Sequence, residues 1–505
     1  MSRRVRSWVM VPFVLAISAM PSAVGAKPAG NLQVHRDTIG ELRQIEPFPA
    51  KRYHLATISL PKVLVRTGAY SPEIRISRRR VDVSYAVRGI AIESFFPSIS
   101  GSVGTMTYSG EIQNSEGTFY NILKQQSNTN RGLILSVQPG NSAYLTVITT
   151  TRIDQTRAQL SETVNQKYAF AARLYFDNLA SLSRVAVLRR AVDISLRILR
   201  EEKKLVELGG ASIVGVLRAA HEVARDSRHL VEEEKSVYHN AFRLDQIMGE
   251  DSDTLPIPAE SFILPRLYIR MDDDLDSLIE TSDVKRPLIR DYAKNEQARA
   301  QELSKTYFSP LVPTIGVSVL NGSLGPDFNG LTGYNETLFF ALWTVGPGGF
   351  LDPAAINLAG RNKDQATAEL SRARILVHRE VRDSFEQVRK SLEEEKIAVE
   401  DMRLARLTFL ASRKRVQLGV YHALELIVSL RDLVDAQLKY IEATRQFEEA
   451  QFDLLAAIGT RPDVIRVPVP VGPPLNPEFF SFTSGDKSPT GGAEPLPSID
   501  RGGFK

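Results

Sequence analysis

Apolar residues in the second half of the chain recur at alternating steps of four and three positions. The apolar members of this row are Val377, Val381, Phe385, Val388, Leu392, Val399, Met402, Phe409 and Val416, and the remaining steps are filled by Glu395, Arg406 and Arg413. Such a heptad row is typical of long helices packed side by side, as in a coiled coil. The matching stretch in the first half, residues 153–207, would be about 80 Å long as a helix. That length exceeds what a globular domain needs, so it indicates the wall of a tube or a stalk.

A shorter pattern with a period of two residues precedes each long helix. It covers residues 98–103 and 314–319, in which the apolar members are Ile99, Val103, Ile315, Val317 and Val319 and the others are small and mostly polar. Alternation of this kind predicts β-strands with one apolar face. We expect two hairpins, residues 97–138 and 313–346, with Gly/Ser/Asn-rich loops over about 109–131 and 321–335 and a Pro-Gly pair after each second strand.

The two halves of the chain repeat one another. Residues 154–161 match residues 364–371 at an offset of 210 positions, and the same offset pairs residues 206–209 with residues 416–419. One offset that holds over about 95 residues leaves no room for insertions, which unrelated helices rarely achieve. The sequence therefore predicts a tandem duplication.

Each copy is predicted to run in the order helix, hairpin, long helix and returning helix. The copies occupy residues 58–250 and 275–460, and the linker 251–274 between them is rich in proline. The first helix of each copy is expected to begin at Pro72 or Pro287, because the missing N–H of proline is harmless in a first turn.

The long helices are predicted to reverse direction at two Leu-Gly pairs, residues 208–209 and 418–419. Glycine adopts the left-handed conformation that caps many helices, so Gly209 and Gly419 are natural stops. Returning amphipathic helices are then expected over residues 211–248 and 421–458.

The two ends of the sequence differ from the copies. Residues 1–26 combine three arginines, an apolar run and small residues before Lys27, which predicts a secretory signal peptide. Residues 27–57 would form an N-terminal periplasmic segment. The tail, residues 461–505, is rich in proline and glycine and is expected to be mostly disordered.

Composition narrows the function classes. The chain is 43% hydrophobic and 24% charged, which is ordinary for a folded protein with a substantial core. Its formal net charge is +4, and most of this charge comes from the arginines of the predicted signal peptide. The sequence has no concentrated row of basic residues, so nucleic-acid binding is not predicted. Because the sequence has no cysteine, we expect neither disulfides nor a lipidated N-terminal cysteine. No run of 18 apolar residues follows the signal peptide, so no transmembrane helix is predicted.

In this order the segments resemble the TolC-type outer-membrane efflux protein family. Residues 58–60, 63–64 and 71–74 resemble the family's opening segment, and residues 416–419 and 435–437 resemble its tip and returning helix. The likeness covers about residues 58–460. Each motif is weak alone, whereas their order, occurring twice, is specific.

The resemblance implies a mixed α/β membrane protein that works as a homotrimer. Four strands per chain would give a 12-stranded β-barrel in the outer membrane, and four helices per chain would continue it as a 12-helix tunnel in the periplasm. The implied function is an outer-membrane channel of a tripartite export system or a type I secretion system. Its partners would be a periplasmic adaptor (membrane fusion) protein, an inner-membrane transporter and outer-membrane lipid, without a cofactor.

The resemblance and the patterns together give three sets of candidate residues. The adaptor-docking tips are Leu208, Gly209, Leu418 and Gly419; the periplasmic entrance candidates are Glu425, Arg431 and Asp432; and the lipid-facing strand residues are Ile99, Val103, Ile315, Val317 and Val319. Family tips commonly carry acidic residues where this chain has Gly215 and Val428. Glu425 is therefore expected either to form an acidic ring, one residue per chain, or to be a solvated helix residue, with Arg431 and Asp432 as a compensating lock.

The sequence gives little support for a catalytic or a metal-binding site. His221, His229 and His239 share one predicted helix but are separated by about 12 and 15 Å along its axis, too far for one ion. Asp272, Asp274 and Asp276 lack the glycine and the final glutamate of a calcium loop. No serine-hydrolase, zinc-protease or P-loop motif occurs, so no enzyme is predicted. The alternatives are an extracytoplasmic coiled-coil scaffold or a periplasmic adaptor, neither of which requires two duplicated hairpins.

Overall fold

The computed structural model describes residues 54–113, 116–210, 212–249, 254–269, 274–325, 332–418, 423–460 and 469–470. The predicted signal peptide, almost all of the N-terminal segment and most of the tail lie outside these residues. The first copy contains β1 (His54–Ile58), α1 (Leu60–Tyr70), α2 (Pro72–Glu93), β2 (Ser98–Gln113), β3 (Phe119–Val137), α3 (Pro139–Glu207) and α4 (Ile213–Met248).

The second copy repeats this order after a short connection. The connection holds β4 (Thr254–Pro258) and β5 (Arg266–Leu267). The copy itself contains α5 (Leu275–Lys285), α6 (Pro287–Phe308), a 3₁₀ turn (Ser309–Leu311), β6 (Thr314–Gly325), β7 (Thr332–Leu342), α7 (Pro353–Gln417) and α8 (Ala423–Ile458). A last strand, β8 (Val469–Pro470), follows. The predicted first-turn prolines Pro72 and Pro287 do begin α2 and α6.

The two hairpins join into one antiparallel sheet in the order β2-β3-β6-β7. The central pairing sets Leu135 of β3 opposite Val317 of β6, so the copies meet through their inner strands. Both outer strands, β2 and β7, keep one edge without a partner among the described residues. An unpaired edge exposes backbone donors and acceptors, and proteins usually cover or pair such edges.

The helices form a layer in which α3 is central. It packs against α2, α4, α6 and α8, whereas α7 packs against α5, α6 and α8 at the margin of the layer. The end of α4 abuts the start of α2, since a Cβ on Gly249 would lie 2.3 Å from the carbonyl oxygen of Tyr70. The end of α8 abuts the start of α6 at Gly459 and Arg286 in the same way. The lateral order is thus α2/α4, α3, α6/α8 and α7.

The core of the second copy lies where these helices converge. Val377, Val381 and Val388 of α7 pack against Phe447 and Leu454 of α8, and Leu278 and Ile289 join from α5 and α6. These valines are rungs of the predicted heptad row. Glu395, another rung, is only 4% exposed.

Side chains of α8 hold the connection between the copies. Glu448 accepts a hydrogen bond from the backbone N–H of Arg266, and Gln451 both accepts from the N–H of Tyr268 and donates to the carbonyl of Arg266. Strand β5 also pairs with β8 in an antiparallel arrangement. Strand β1 pairs with β4 in a parallel arrangement. The helices and the connection are therefore tied together at one level of the molecule.

Several predicted boundaries were wrong. The long helix of the first copy begins at Pro139, fourteen residues before the predicted start, and has 69 residues. The strands extend into both predicted loops, because β2 and β3 pair up to Gln113 and Phe119, and β6 and β7 pair up to Leu324 and Thr332. Strand pairing is made by backbone groups and does not require apolar side chains. The polar composition of these segments was therefore wrongly interpreted as loops. No helix in the described ranges is both long and apolar enough to cross a membrane.

Candidate functional site

The tip of the first copy is a left-handed glycine cap. Gly209 has φ 71°, and the N–H groups of Gly210 and Gly209 donate to the carbonyls of Leu205 and Val206 at 2.8 and 3.0 Å. These two bonds define a Schellman motif, which satisfies carbonyls that the helix leaves unpaired. The predicted left-handed cap at Gly209 is confirmed. Leu208 beside it is 82% exposed, so the tip presents an apolar side chain to solvent.

The tip of the second copy ends in a similar way. Helix α7 stops at Gln417, the N–H of Leu418 donates to the carbonyl of Lys414 at 3.1 Å, and Leu418 is 68% exposed. Gly419 lies outside the described residues. Each long helix therefore ends with an exposed leucine.

The three entrance candidates have different surroundings. Glu425 of α8 lies 3.3 Å from Nη1 of Arg415, across the reversal in the same helical hairpin. Arg431 contacts a residue of the other hairpin, because its Nη2 lies 2.7 Å from Oε2 of Glu222 in α4. Asp432 is exposed. Arg431 thus joins the two copies through Glu222, a partner that the sequence analysis did not identify.

Glu222 belongs to a buried charged cluster. It is 2% exposed and lies 2.5 Å from Nη2 of Arg225, which also contacts Asp226 at 3.3 Å. The hydroxyl of Ser195 in α3 donates to Asp226 at 2.6 Å. Burial raises the pKa of Asp226, and this hydrogen bond opposes the rise. With Arg431, the cluster ties α3, α4 and α8 together just behind the tips.

A sequence signal for this cluster existed. Val216, Ala219, Val223 and Asp226 lie on one buried row of α4 at steps of three and four residues. A carboxylate on such a row must be buried, and a buried carboxylate needs a partner. Asp226 could therefore have been found as a charged member of an apolar row.

An apolar groove lies between the starts of α4 and α8. It has a volume of about 400 Å³, and its walls include Val214, Leu217, Leu424, Ile427 and Val428. The charged groups at its rim include Arg218, Glu222 and Arg431. Val428, where an acidic residue is common in the family, is thus part of an apolar wall. At Gly215 a Cβ would lie 2.4 Å from Oε2 of Glu202, so a larger residue there would require the Glu202 side chain to shift.

The predicted lipid-facing residues share one face of the sheet. Ile99 pairs with Leu135, Leu135 with Val317, and Val317 with Phe339, so these four lie on the same side. Val103, Ile315 and Val319 fall on that side by two-residue alternation. Ile99 is 69% and Val103 is 87% exposed, whereas Val317 is half-buried.

The opposite face carries Ser98, Ser100, Gly316 and Ser318. Ser318 is only 9% exposed. Its cross-strand neighbours on that face are Ile134 and Leu338, whose larger side chains shield it. Gly316 is covered by Phe340, since a Cβ there would lie 2.3 Å from Cζ of that ring.

The described residues contain no group of three or more His, Asp or Glu side chains placed to hold a metal ion. What the chain presents instead is a sheet with an exposed apolar face, joined to helices that end in two exposed tips.

Comparisons with known proteins agree with this architecture. Residues 293–460 match the family model described as outer membrane efflux protein, which confirms the resemblance found in the sequence. That stretch covers most of the second copy. No curated protein matches the chain.

Solved structures share the fold over most of the chain. A membrane protein from Pseudomonas aeruginosa superposes with a TM-score of 0.66 at 17% identity, covering 81% of this chain and 95% of that chain. The outer-membrane channel CmeC from Campylobacter jejuni gives 0.65 at 14% identity, covering 89% and 94%. The open state of the MtrE outer-membrane channel from Neisseria gonorrhoeae gives 0.61 at 13% identity, covering 79% and 89%. The chain thus has the helix-rich α/β fold of outer-membrane efflux channels.

Proposed function

We propose that the protein is the outer-membrane channel of a tripartite export system. It conducts substrates passively from an inner-membrane transporter and a periplasmic adaptor to the exterior, and it is not an enzyme. The observation that carries the proposal is the union, in one chain, of a sheet with an exposed apolar face and two helices about 100 Å long. The match to the efflux family over residues 293–460 supports the same assignment.

The sheet argues for a homotrimer. Its four strands leave β2 and β7 with free edges among the described residues, and four strands are too few to close a barrel. Three copies supply 12 strands and remove every edge. In that barrel the face with Ile99, Val103, Ile315, Val317 and Val319 contacts lipid, and the face with Gly316 and Ser318 lines the lumen.

The helices argue for the same assembly. On the free side of α7 and at its C-cap, Ile397, Leu404 and Leu418 are separated by seven and fourteen positions and are 69%, 49% and 68% exposed. At the opposite margin of the layer, Ile76, Val83 and Ile90 of α2 are separated by seven positions and are 54%, 61% and 67% exposed. Apolar rows of this kind need neighbours. In a trimer the α7 margin of one copy packs against the α2/α4 margin of the next, and a 12-helix tunnel closes.

The tips and the residues behind them serve the periplasmic end. The docking sites for the adaptor are the reversals at Leu208, Gly209, Leu418 and Gly419 together with the apolar groove between α4 and α8. Glu425, Arg431 and Asp432 line the entrance, and the bond from Arg431 to Glu222 holds it closed. The inner-membrane transporter supplies the energy. A cleaved signal peptide, residues 1–26, delivers the chain to the envelope without lipidation.

Two measurements test the proposal. Membrane fractionation followed by native mass spectrometry should find the processed chain in the outer membrane as a trimer, and the purified trimer should form conducting channels in planar lipid bilayers. A soluble periplasmic monomer would overturn the proposal and favour a scaffold or an adaptor.

A further inference from the structure

Inside the chain, the two copies meet where α6 packs against α3, and polar side chains contribute to this contact. Nζ of Lys294 in α6 lies 3.6 Å from Oδ2 of Asp154 in α3. Nη1 of Arg152 donates to Oδ1 of Asn295 at 2.9 Å. Since the residue numbers fall along α6 while they rise along α3, the two helices are antiparallel. The contact between the copies therefore has a defined direction and a defined register.

The duplication gives each of these residues a counterpart at an outer margin of the helix layer. Helices α2 and α6 correspond at an offset of 215 positions, as their first prolines show, and α3 corresponds to α7 at an offset of 210. Lys294 therefore corresponds to Arg79 of α2, and Asp154 corresponds to Asp364 of α7. Both counterparts keep the sign of the charge, with a cation on the shorter helix and a carboxylate on the longer one.

A second pair keeps its hydrogen-bonding chemistry with the partners exchanged. Asn295 corresponds to Arg80 of α2, and Arg152 corresponds to Asn362 of α7. Inside the chain, an arginine on the long helix donates to an amide on the shorter helix. At the margins the arginine is on the shorter helix and the amide is on the longer helix, so a guanidinium donor again faces a carbonyl acceptor. Two neighbouring pairs of positions are thus complementary in the same register.

The charged counterparts are accessible at the two margins. Arg79 lies 3.0 Å from Asp82 on its own helix, and these side chains are 80% and 61% exposed. Asp364 lies 3.5 Å from Arg361 on its own helix, and these side chains are 69% and 76% exposed. Exposed ion pairs contribute little to stability, so both groups can turn to a new partner at small cost.

The apolar row of α2 marks the face that a neighbour would cover. Ala298 of α6 is completely buried and corresponds to Val83 of α2, which is exposed. Asp291, seven positions before Ala298, accepts a hydrogen bond from Gln159 of α3 at 3.0 Å and corresponds to the exposed Ile76. The face of α2 that is open in one chain is therefore the face that α6 turns towards α3.

We propose that the contact between subunits repeats the contact between the copies, with α2 of one subunit packed antiparallel against α7 of a second copy of the chain. Arg79 of one subunit then pairs with Asp364 of the next, and Arg80 donates to Asn362. Charge complementarity and the equivalent contact inside the chain favour a second copy as the occupant of both margins. This register rests on the proposed function, since it specifies how the subunits of that trimer meet.

Thiol cross-linking of the full-length protein in membranes tests the register. The chain has no cysteine, so two introduced cysteines report a single contact. Arg79→Cys combined with Asp364→Cys should be linked into covalent dimers and trimers by a short bifunctional thiol reagent. The matched control combines Arg79→Cys with Asp383→Cys, because Asp383 is 66% exposed but lies about 30 Å further along α7. This control should keep the mass of a single chain.

A third pair of cysteines shows that the chain has folded. Asp154→Cys combined with Lys294→Cys places thiols at the equivalent contact between the copies. The reagent should join them within one chain, so both thiols are consumed while the mass rises only by that of the reagent.

Charge reversal tests the proposed ion pair itself. Arg79→Glu should set two carboxylates together, and Asp364→Arg should set two guanidinium groups together. Because a trimer contains three such contacts, each single change should lower the yield of heat-stable trimer by about threefold or more, and the double change should restore most of it. Equal yields for the three variants and wild type would contradict the pairing.

The outcomes distinguish this register from the proposed function. Wild-type trimers without linkage between positions 79 and 364, or with equal linkage between positions 79 and 383, would overturn the register and leave the trimeric channel in place. A wild-type protein that is monomeric in the membrane would overturn both. Linkage between positions 79 and 364 in a trimer that forms no conducting channels would support the register and overturn the channel.

Discussion

The two long helices have equivalent positions in the two copies but very different surroundings. Twenty-seven of the 69 residues of α3 are buried, compared with eleven of the 65 residues of α7. Many buried positions in α3 hold small side chains, such as Ala171, Ala172 and Ala180, which allow neighbouring helices to approach closely. In α7 the buried positions follow essentially one row that faces α6 and α8.

The difference in burial follows from the positions of α3 and α7 in the helix layer. Helix α3 lies between α4, which is its own returning helix, and the helices of the second copy. It therefore has neighbours on several sides within one chain. Among the described residues, no further helix packs on the outer side of α7, and its apolar row stays exposed. In the proposed trimer, a second protein chain covers this row.

The largest expected effect is a loss of stability caused by a cavity at the centre of the helix layer. Leu188 of α3 is 2% exposed, so Leu188→Ala should lower the free energy of unfolding by about 2–5 kcal/mol. Leu404 of α7 is 49% exposed, and Leu404→Ala should change chain stability much less while shifting trimers to monomers on dilution. Urea unfolding in detergent and analytical ultracentrifugation measure the two effects. Equal effects of both changes on both quantities would contradict the contrast between a central and a marginal helix.

The next effect concerns the two faces of the sheet. Ile99→Arg should reduce the yield of trimer in the membrane, because an arginine facing lipid costs up to about 2–4 kcal/mol at the bilayer centre and less towards its surfaces, and Ile99 lies near the start of β2. Ser100→Arg is the matched control, since Ser100 is exposed on the opposite face. Quantification of heat-stable trimers in membrane extracts checks the order. Equal yields, or a lower yield for Ser100→Arg, would refute the assignment of the faces.

A smaller effect is expected at the tip. Gly209→Val should cost about 1–2 kcal/mol, because the position is left-handed although it has space for a side chain. Gly210 provides the control, as a Cβ there makes only an ordinary contact of 3.6 Å. Export activity and cross-linking to the adaptor should fall in Gly209→Val and persist in Gly210→Val. Normal cross-linking in both variants would argue against docking at this tip.

The smallest expected effect is a pH dependence of stability. It arises from two buried carboxyls where α7 contacts α8. Burial raises the pKa of Glu395 and of Glu448, so both carboxyls retain protons in the folded chain over a pH range in which they ionise when unfolded. Stability should therefore fall as the pH rises above about 4.5 towards the folded pKa values. Glu448→Gln should change the melting temperature little at pH 5 and raise it at pH 8.

Glu393→Gln is the matched control for this pH effect. Glu393 is 52% exposed, and its pKa is lowered by Lys390. Its replacement should leave the pH dependence of wild type nearly intact. An identical pH dependence in Glu448→Gln and wild type would show that Glu448 does not retain its proton in the folded chain.

Sequence patterns predicted the features that depend on local chemistry. The starts of α2 and α6 at prolines and the left-handed Gly209 follow from the backbone preferences of those residues. The early start of α3 was missed because residues 146–151 are rich in threonine, which favours strands. In the structure Thr146, Thr149 and Thr150 return hydrogen bonds to carbonyls of the preceding turn, which accommodates them in a helix.

The candidate site was predictable only in part. The common face of Ile99 and Val317 follows from the two-residue periodicity of the strands. The bond from Arg431 to Glu222 joins residues 209 positions apart, and no local pattern encodes such a pairing.

The way the sheet is joined has a consequence for the order of folding. Leu133 of β3 pairs with Val319 of β6, and the whole of α3 and α4 lies between them in the chain. Each helical hairpin, by contrast, joins neighbouring segments, and contacts between close segments form faster because they close shorter loops. We therefore expect the helices to assemble first as a periplasmic intermediate, and the four strands to join last. Pulsed hydrogen exchange during refolding should protect amides of α7 and α8 before those of β3 and β6, which would delay formation of the apolar face until a membrane is available to receive it.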